Sequence, residues 1–186
     1  MKIVYPVFGC LLFIFFSCGS SKPRTNLEDI QALKKIIESK HFFIESDMAY
    51  PRVTNAVQQV LNTFALQTGG NASSINLIGN PNFLKISGDS ISSYLPYFGE
   101  RQMGVGINSD SAIELHGVME DYHVEKSKNE SYLITFNARS KEEFYNVLIK
   151  VFPNLKCELM LNGSTRLGIR YSGDLNKNPV DENKNN

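Results

Sequence analysis

The stretch "KISGDSISSYLPYFGE", residues 85–100, decides the fold. Gly88-Asp89 stands between two alternating runs, and two-residue loops containing glycine match the twist of paired strands. A loop of that length sets Ile86 opposite Ile91 on one face and Phe83 opposite Tyr94 on the other. The stretch closes with "SYLPYFG". There Pro96 fixes its own φ and pushes Leu95 toward extended geometry, while Gly99 permits a positive φ. The strand therefore turns, and Tyr97 and Phe98 fall at a sheet corner. Rings at such a corner plug the open end of a core, with a tyrosine hydroxyl reaching backbone. The alternative makes Tyr94, Tyr97, Phe98 and Arg101 a binding platform at a groove mouth, joined by the loop of residues 103–110. Large aromatics are more often buried than displayed, which favours the corner.

Toward the C-terminus the alternation predicts strands over residues 112–117, 118–126, 132–138, 144–151, 156–161 and 165–171. The last two test the register. A two-residue Asn162-Gly163 turn would put Leu159 against Arg166, whereas adding Ser164 sets Leu161 against Thr165, Leu159 against Leu167 and Cys157 against Ile169. A one-residue slip flips every side chain, so the three-residue loop is expected. Cys157 then points to the core. Arg166 and Arg170 lie on the outer face, where they could clamp an anionic ligand but more simply pair with Glu158.

Toward the N-terminus, residues 25–40 read as an amphipathic helix. Thr25 and Glu28 are spaced as a capping box, Leu27, Ile30, Leu33, Ile36 and Ile37 recur at helical spacing, and Lys34, Lys35 and Lys40 gather late. The period then changes to two. Phe42, Ile44, Met48 and Tyr50 alternate with Phe43, Glu45, Asp47 and Ala49 in a strand ended by Pro51. Residues 55–70 suggest a second helix ending at Gly69-Gly70. The whole reads as α+β and β-rich: an N-terminal helix, then an antiparallel meander of about eight strands forming a sandwich or partial barrel.

The first residues read as targeting rather than fold. Met1-Lys2 precede an apolar run over residues 3–16, and 14 residues is shorter than the ~18 to 20 a membrane-crossing helix needs. "FFSC", residues 15–18, resembles a lipobox, with Phe15 where Leu usually stands, and makes Cys18 the acylated first residue of the mature chain. Cysteine usage agrees: past residue 17 the chain holds Cys18 and Cys157, too few for a disulfide framework. The expected organisation is a signal peptide over 1–17, a lipidated tether over 18–24, one domain over 25–175 and a disordered polar tail over 176–186. Gly19 after the cysteine, with no acidic cluster following, favours the outer membrane facing the periplasm.

Nineteen basic residues balance nineteen acidic ones, so no net field draws the chain to nucleic acid, and Tyr94 to Phe98 contains no basic residue for binding single strands. His116 and His123, with Glu114 and Asp121 nearby, sit on a polar strand face rather than in a metal motif. No nucleophile elbow, S-x-x-K or phosphate loop occurs, and "GVG" over 104–106 is a lone G-x-G. Carboxylates such as Glu142-Glu143 and Asp121 with Glu125 are not brought to a catalytic separation by spacing alone. No catalytic residue, metal ligand or cofactor is assigned.

"IESKHFFIESDMAYP", "ISGDSISSYLPYFGE" and "TRLGIRYSG", in that order behind a lipoprotein signal, resemble the Bacteroidetes lipoprotein family catalogued as domain of unknown function 4251. The likeness spans about residues 30–175, and "SYLPYFG" is its most specific part. Against the family pattern, residues 54–74 look like an enlarged connection, and Glu100 then Arg101 follow "YFG" where Arg is usual. The resemblance implies an envelope location and a β-rich domain, and no reaction. The leading expectation is a non-enzymatic lipoprotein, anchored to a membrane through Cys18, that binds an envelope protein, glycan or small component. The alternatives are a hydrolase or other enzyme whose residues converge only in three dimensions, and a purely structural protein.

Overall fold

The structure, a computed structural model, describes residues 26–55, 58–59, 62, 73–100, 112–141 and 143–177. Helix α1, Leu27–Ser39, starts one residue later than the expected cap: Asn26 has extended geometry and its side chain accepts from Glu28 N–H. Leu33 and Ile37 are buried and Leu27 is exposed. No lysine lies in the last turn; Lys40 ends the helix with a left-handed φ of 52°. That conformation is supported from outside, since Lys40 Nζ lies 2.9 Å from Asp89 Oδ1 and 4.5 Å above the Tyr122 ring, while Gly88 N–H donates to Lys40 O. The β3–β4 turn is thereby docked on the helix end.

Eleven strands follow: β1 His41–Pro51, β2 Ile75–Asn76, β3 Phe83–Ser87, β4 Ser90–Pro96, β5 Ala112–Ile113, β6 His116–Val118, β7 Glu120–Lys126, β8 Tyr132–Arg139, β9 Phe144–Val151, β10 Lys156–Gly163 and β11 Ile169–Lys177. They form one antiparallel sheet in the order β5-β4-β3-β1-β11-β10-β9-β8-β7, with β2 beside β1 and β6 beside β4. The fold is α+β and β-rich, as expected. It departs from a plain meander in one respect: the first strand lies in the middle, between β3 and β11. The sheet is open but curled. Tyr171 of β11 donates to Pro96 O of β4 across two intervening strands, and Met119 alone joins β6 to β7 at the far end. One continuous core fills the concave side, from Phe42 and Ile44 through Ile86, Ile91 and Phe136 to Leu159 and Tyr171.

The β3–β4 hairpin has the expected register, Ile86 against Ile91 and Phe83 against Tyr94. Gly88 takes a φ of 64°, which a glycine adopts without steric cost. Strand β1 differs in its second half. A bulge between Ser46 and Met48 reverses the phase, so Ala49 is buried and Met48 and Tyr50 are not. Two residues accommodate it: the Asn82 side chain accepts from Ser46 N–H and donates to Ser46 O, and Gly173 leaves room where a Cβ would strike Glu45 O.

The β10–β11 register also differs. Leu161 faces Ile169, Leu159 faces Tyr171 and Cys157 faces Gly173, four residues beyond the expected pairing. An even shift keeps Cys157, Leu159 and Leu161 in the core, so the face assignment survives while the connection lengthens to include Thr165, Arg166 and Leu167. Strand β11 runs two residues past Leu175, into the segment expected to be disordered. In the expected second helix Asn55, Gln58, Gln59 and Asn62 are helical, with Gln58 N–H donating to Thr54 O. Its other residues from 56 to 70, the targeting and tether segments, Arg101 with the 103–110 loop, Glu142, and residues 178–186 lie outside the described residues.

Candidate functional site

The "LPYFG" corner is built inward. Tyr97 is buried, and its single hydroxyl proton is shared between Glu100 O at 2.7 Å and Leu167 O at 2.9 Å. Gly99 does not use the positive φ it permits; it is small because a Cβ would meet the Tyr97 hydroxyl at 2.5 Å. Glu100 accepts from Thr54 Oγ1 and Thr54 N–H, and its carbonyl also receives Leu167 N–H. The corner thus ties β4 to the start of the 54–62 segment and to the β10–β11 connection. Of the proposed platform, Tyr97 is enclosed, Tyr94 and Phe98 are each 40% exposed, and Arg101 and Cys18 lie outside the described residues.

Behind Tyr97 stands a buried ion pair that sequence reading missed. Arg166, expected on the outer face, approaches Glu143 Oε1 with Nε at 2.7 Å and lies over the Tyr97 ring at 5.2 Å. The Glu143 carboxylate also accepts from the Tyr145 hydroxyl at 2.6 Å and from Thr165 N–H and Oγ1 at 2.8 Å each. Burial alone would raise its pKa; the Tyr145 and Thr165 hydrogen bonds and the Arg166 charge outweigh that and hold it below the ordinary carboxylate value. Tyr145 is pushed the other way, by burial and then by its bond to Glu143. A Cβ at Gly163 would meet Glu143 Oε2 at 2.6 Å, so the end of β10 is shaped around the carboxylate. The cavity beside Tyr145 and Arg166 measures about 10 Å³, room for one water at most. This cluster fixes the β10–β11 connection; its carboxylate is already fully occupied.

On the outer face the opposite situation holds. Tyr50, Arg52, Met160, Asn162, Gly168 and Arg170 line a groove of about 250 Å³. Arg170 stacks on Tyr50 with its guanidinium 3.9 Å from the ring centre, and its Nη1 lies 3.6 Å from Glu158. The expected Arg170–Glu158 pair therefore forms, whereas Arg166 does not share it. Arg52 is exposed and has no side-chain partner among the described residues; its N–H donates to Gly168 O. Tyr50 and Arg170 meet because β1 pairs with β11, a contact between chain ends that no local pattern announces.

The remaining residues singled out are separate. His116 lies 3.6 Å from Glu114 and His123 3.3 Å from Glu125, both at the surface, and no group of three or more metal-ligating side chains occurs among the described residues. Cys157 is buried and its thiol is pushed up to about 12, by burial and then by the Asp174 charge, which removes thiolate character. No described helix is long and apolar enough to cross a membrane.

A single curled antiparallel sheet behind an N-terminal helix, with its charge pair locked inside and an arginine groove outside, defines a β-rich α+β domain. The chain belongs to the family Domain of unknown function (DUF4251), whose model matches residues 25–175. Its fold is similar to the crystal structure of a DUF4251 family protein from Bacteroides eggerthii, with 11% sequence identity and a TM-score of 0.56 over 81% of this chain and 88% of that one. No curated protein matches.

Proposed function

We propose that this chain is a cell-envelope lipoprotein, anchored through acylated Cys18 in the outer membrane facing the periplasm, whose β-rich domain binds a ligand without transforming it. The observation that carries the binding reading is the groove. It combines an aromatic ring, apolar lining from Met160, and two guanidiniums, one of them uncommitted. Sites of this kind orient a ligand with a few polar groups set in an apolar wall. The non-enzymatic part is supported by the buried ionisable groups. Glu143 is held below, and Tyr145, Tyr171 and Cys157 above, the range a general acid or base uses near neutrality. The apolar run ending at Cys18 supports the anchor.

The test is mass spectrometry on protein extracted from its native membrane in mild detergent, alongside an Arg52→Ala/Arg170→Ala variant. An acylated Cys18, and an identified small component retained by the wild type and lost from the variant, is the expected result. An unmodified Cys18 removes the anchor. Identical retention by both proteins removes the groove.

A further inference from the structure

We propose that the outer face beside this groove binds an acidic saccharide, polyhydroxylated rings bearing carboxylate or phosphate, and that a row of asparagines reads it. The inference rests on the groove as a binding site and adds the class of ligand. Strand register aligns Asn162, Asn146 and Asn137 directly across β10, β9 and β8. Their neighbours Leu161, Val147, Phe136 and Ala138 are buried, so the alternation places all three amides on the convex side. Asparagine is depleted in strands, and three in one row across adjacent interior strands is locally unfavourable; such departures gather where function overrides folding.

The row is oriented. Asn146 Nδ2 donates to Asn137 Oδ1 at 3.1 Å, and Asn137 Nδ2 donates to Asp121 Oδ2 at 3.0 Å. Both amide nitrogens thus point toward β7, and the Asn146 oxygen and the whole Asn162 amide carry no hydrogen bond among the described residues. An amide presents a donor and an acceptor in one plane, which suits the paired hydroxyls of a sugar ring. Aromatic rings with guanidiniums over them flank the row: Tyr50 under Arg170 at 3.9 Å in the groove that Asn162 lines, and half-exposed Phe144 under Arg139 at 4.0 Å, two residues along β9 and β8 from Asn146 and Asn137. Ring faces accept the C–H side of a sugar, while Arg52, Arg139 and Arg170 supply forked donors for a carboxylate or phosphate. Glu158 offsets only one of the three. A neutral saccharide would leave that charge unused.

The test titrates the full chain, isotopically labelled and held in detergent, with tetragalacturonate, a phosphorylated tetramannoside, maltotetraose and inorganic phosphate, reading the side-chain amide resonances of Asn137, Asn146 and Asn162. We expect at least one of the two acidic saccharides to move these resonances, with affinity about tenfold weaker in Asn146→Ala and in Arg52→Ala at unchanged melting temperature. Which acid binds distinguishes carboxylate from phosphate as the source. Equal binding of maltotetraose overturns the acidic requirement. Inorganic phosphate competing fully, with Asn146→Ala binding the acids like wild type, overturns the saccharide. Acids that respond to Arg52→Ala but leave Asn146→Ala unaffected sink the asparagine row and leave the groove standing; no response from any probe removes both. If Asn146→Ala loses its fold, Asn146→Ser decides by the same readings.

Discussion

Arg166 and Arg170 are four residues apart and end in opposite surroundings. The first has a side chain 3% exposed against a fully buried Glu143; the second lies on the outer face over Tyr50 with its guanidinium open to solvent. Residues 164–168 connect β10 to β11 outside both strands, so the strict alternation that would put both arginines outside is interrupted before β11 begins. A buried charge whose partner accepts from four groups has nothing left to offer a ligand. A half-buried guanidinium with donors to spare does. The contrast separates architecture from binding more reliably than residue type.

The largest expected effect comes from breaking the inner pair. Glu143→Ala leaves Arg166 buried without its counter-charge, and removing one partner of such a pair costs about 3–5 kcal/mol. Urea denaturation measures this. The double variant Glu143→Leu/Arg166→Met should recover most of the loss, because two apolar side chains of similar volume leave no charge uncompensated. If Glu143→Ala costs no more than a surface substitution, the pair is not the lock on the β10–β11 connection. Acid sharpens the same point. The folded pKa of Glu143 is lowered, so the unfolded chain binds the extra proton as pH falls below the ordinary carboxylate value of 4.5. Its contribution is present above the unfolded pKa and disappears as pH falls through the folded one. Stability followed downward from pH 5 should therefore fall less steeply in Glu143→Gln than in wild type. Equal slopes would contradict the depressed pKa.

The next effect is smaller and isolates the corner. In Tyr97→Phe the ring still fills its place, but Leu167 O loses its partner, whereas Glu100 O keeps Leu167 N–H. One orphaned carbonyl costs about 1–3 kcal/mol. Phe98→Ala, at an exposed position beside it, should stay within about 0.5 kcal/mol. Thermal melts of the two variants decide whether "YFG" is one structural unit or an enclosed ring beside a displayed one.

What was legible in the sequence follows from how local each determinant is. The β3–β4 hairpin was readable to the residue because its loop is two residues long and both strands alternate without interruption. The inward direction of Cys157 and Leu159 was readable although the pairing was wrong by four, since an even slip preserves faces. The bulge in β1 was not, because the residues that permit it, Asn82 and Gly173, lie far along the chain. Nor was Arg166 in the core: arginine reads as surface unless its buried partner is known, and Glu143 comes from another strand's approach. The groove was half legible. Arg170 was recognisable as a possible anion clamp, but Tyr50 and Arg52 join it only through the pairing of the first and last strands.

The smallest effect on stability belongs to the outer arginine, and it is the one that tests function. Arg170 stacks on Tyr50 and approaches Glu158 at 3.6 Å. At an exposed site a cation over an aromatic ring contributes about 0.5–1 kcal/mol, and a surface ion pair of that length little or nothing. Arg170→Ala should therefore cost about 1 kcal/mol or less in urea, a fraction of the Glu143→Ala loss. Arg170→Lys keeps the charge but not the planar fork, so it should match wild type in stability while failing to restore binding of a carboxylate or phosphate group. Loss of binding in both variants at near-native stability is the pattern of a ligand contact. If Arg170→Lys binds as wild type does, the groove reads charge alone. If Arg170→Ala instead unfolds the domain as Glu143→Ala does, the outer arginine is architecture too, and the division between the two faces of this sheet collapses.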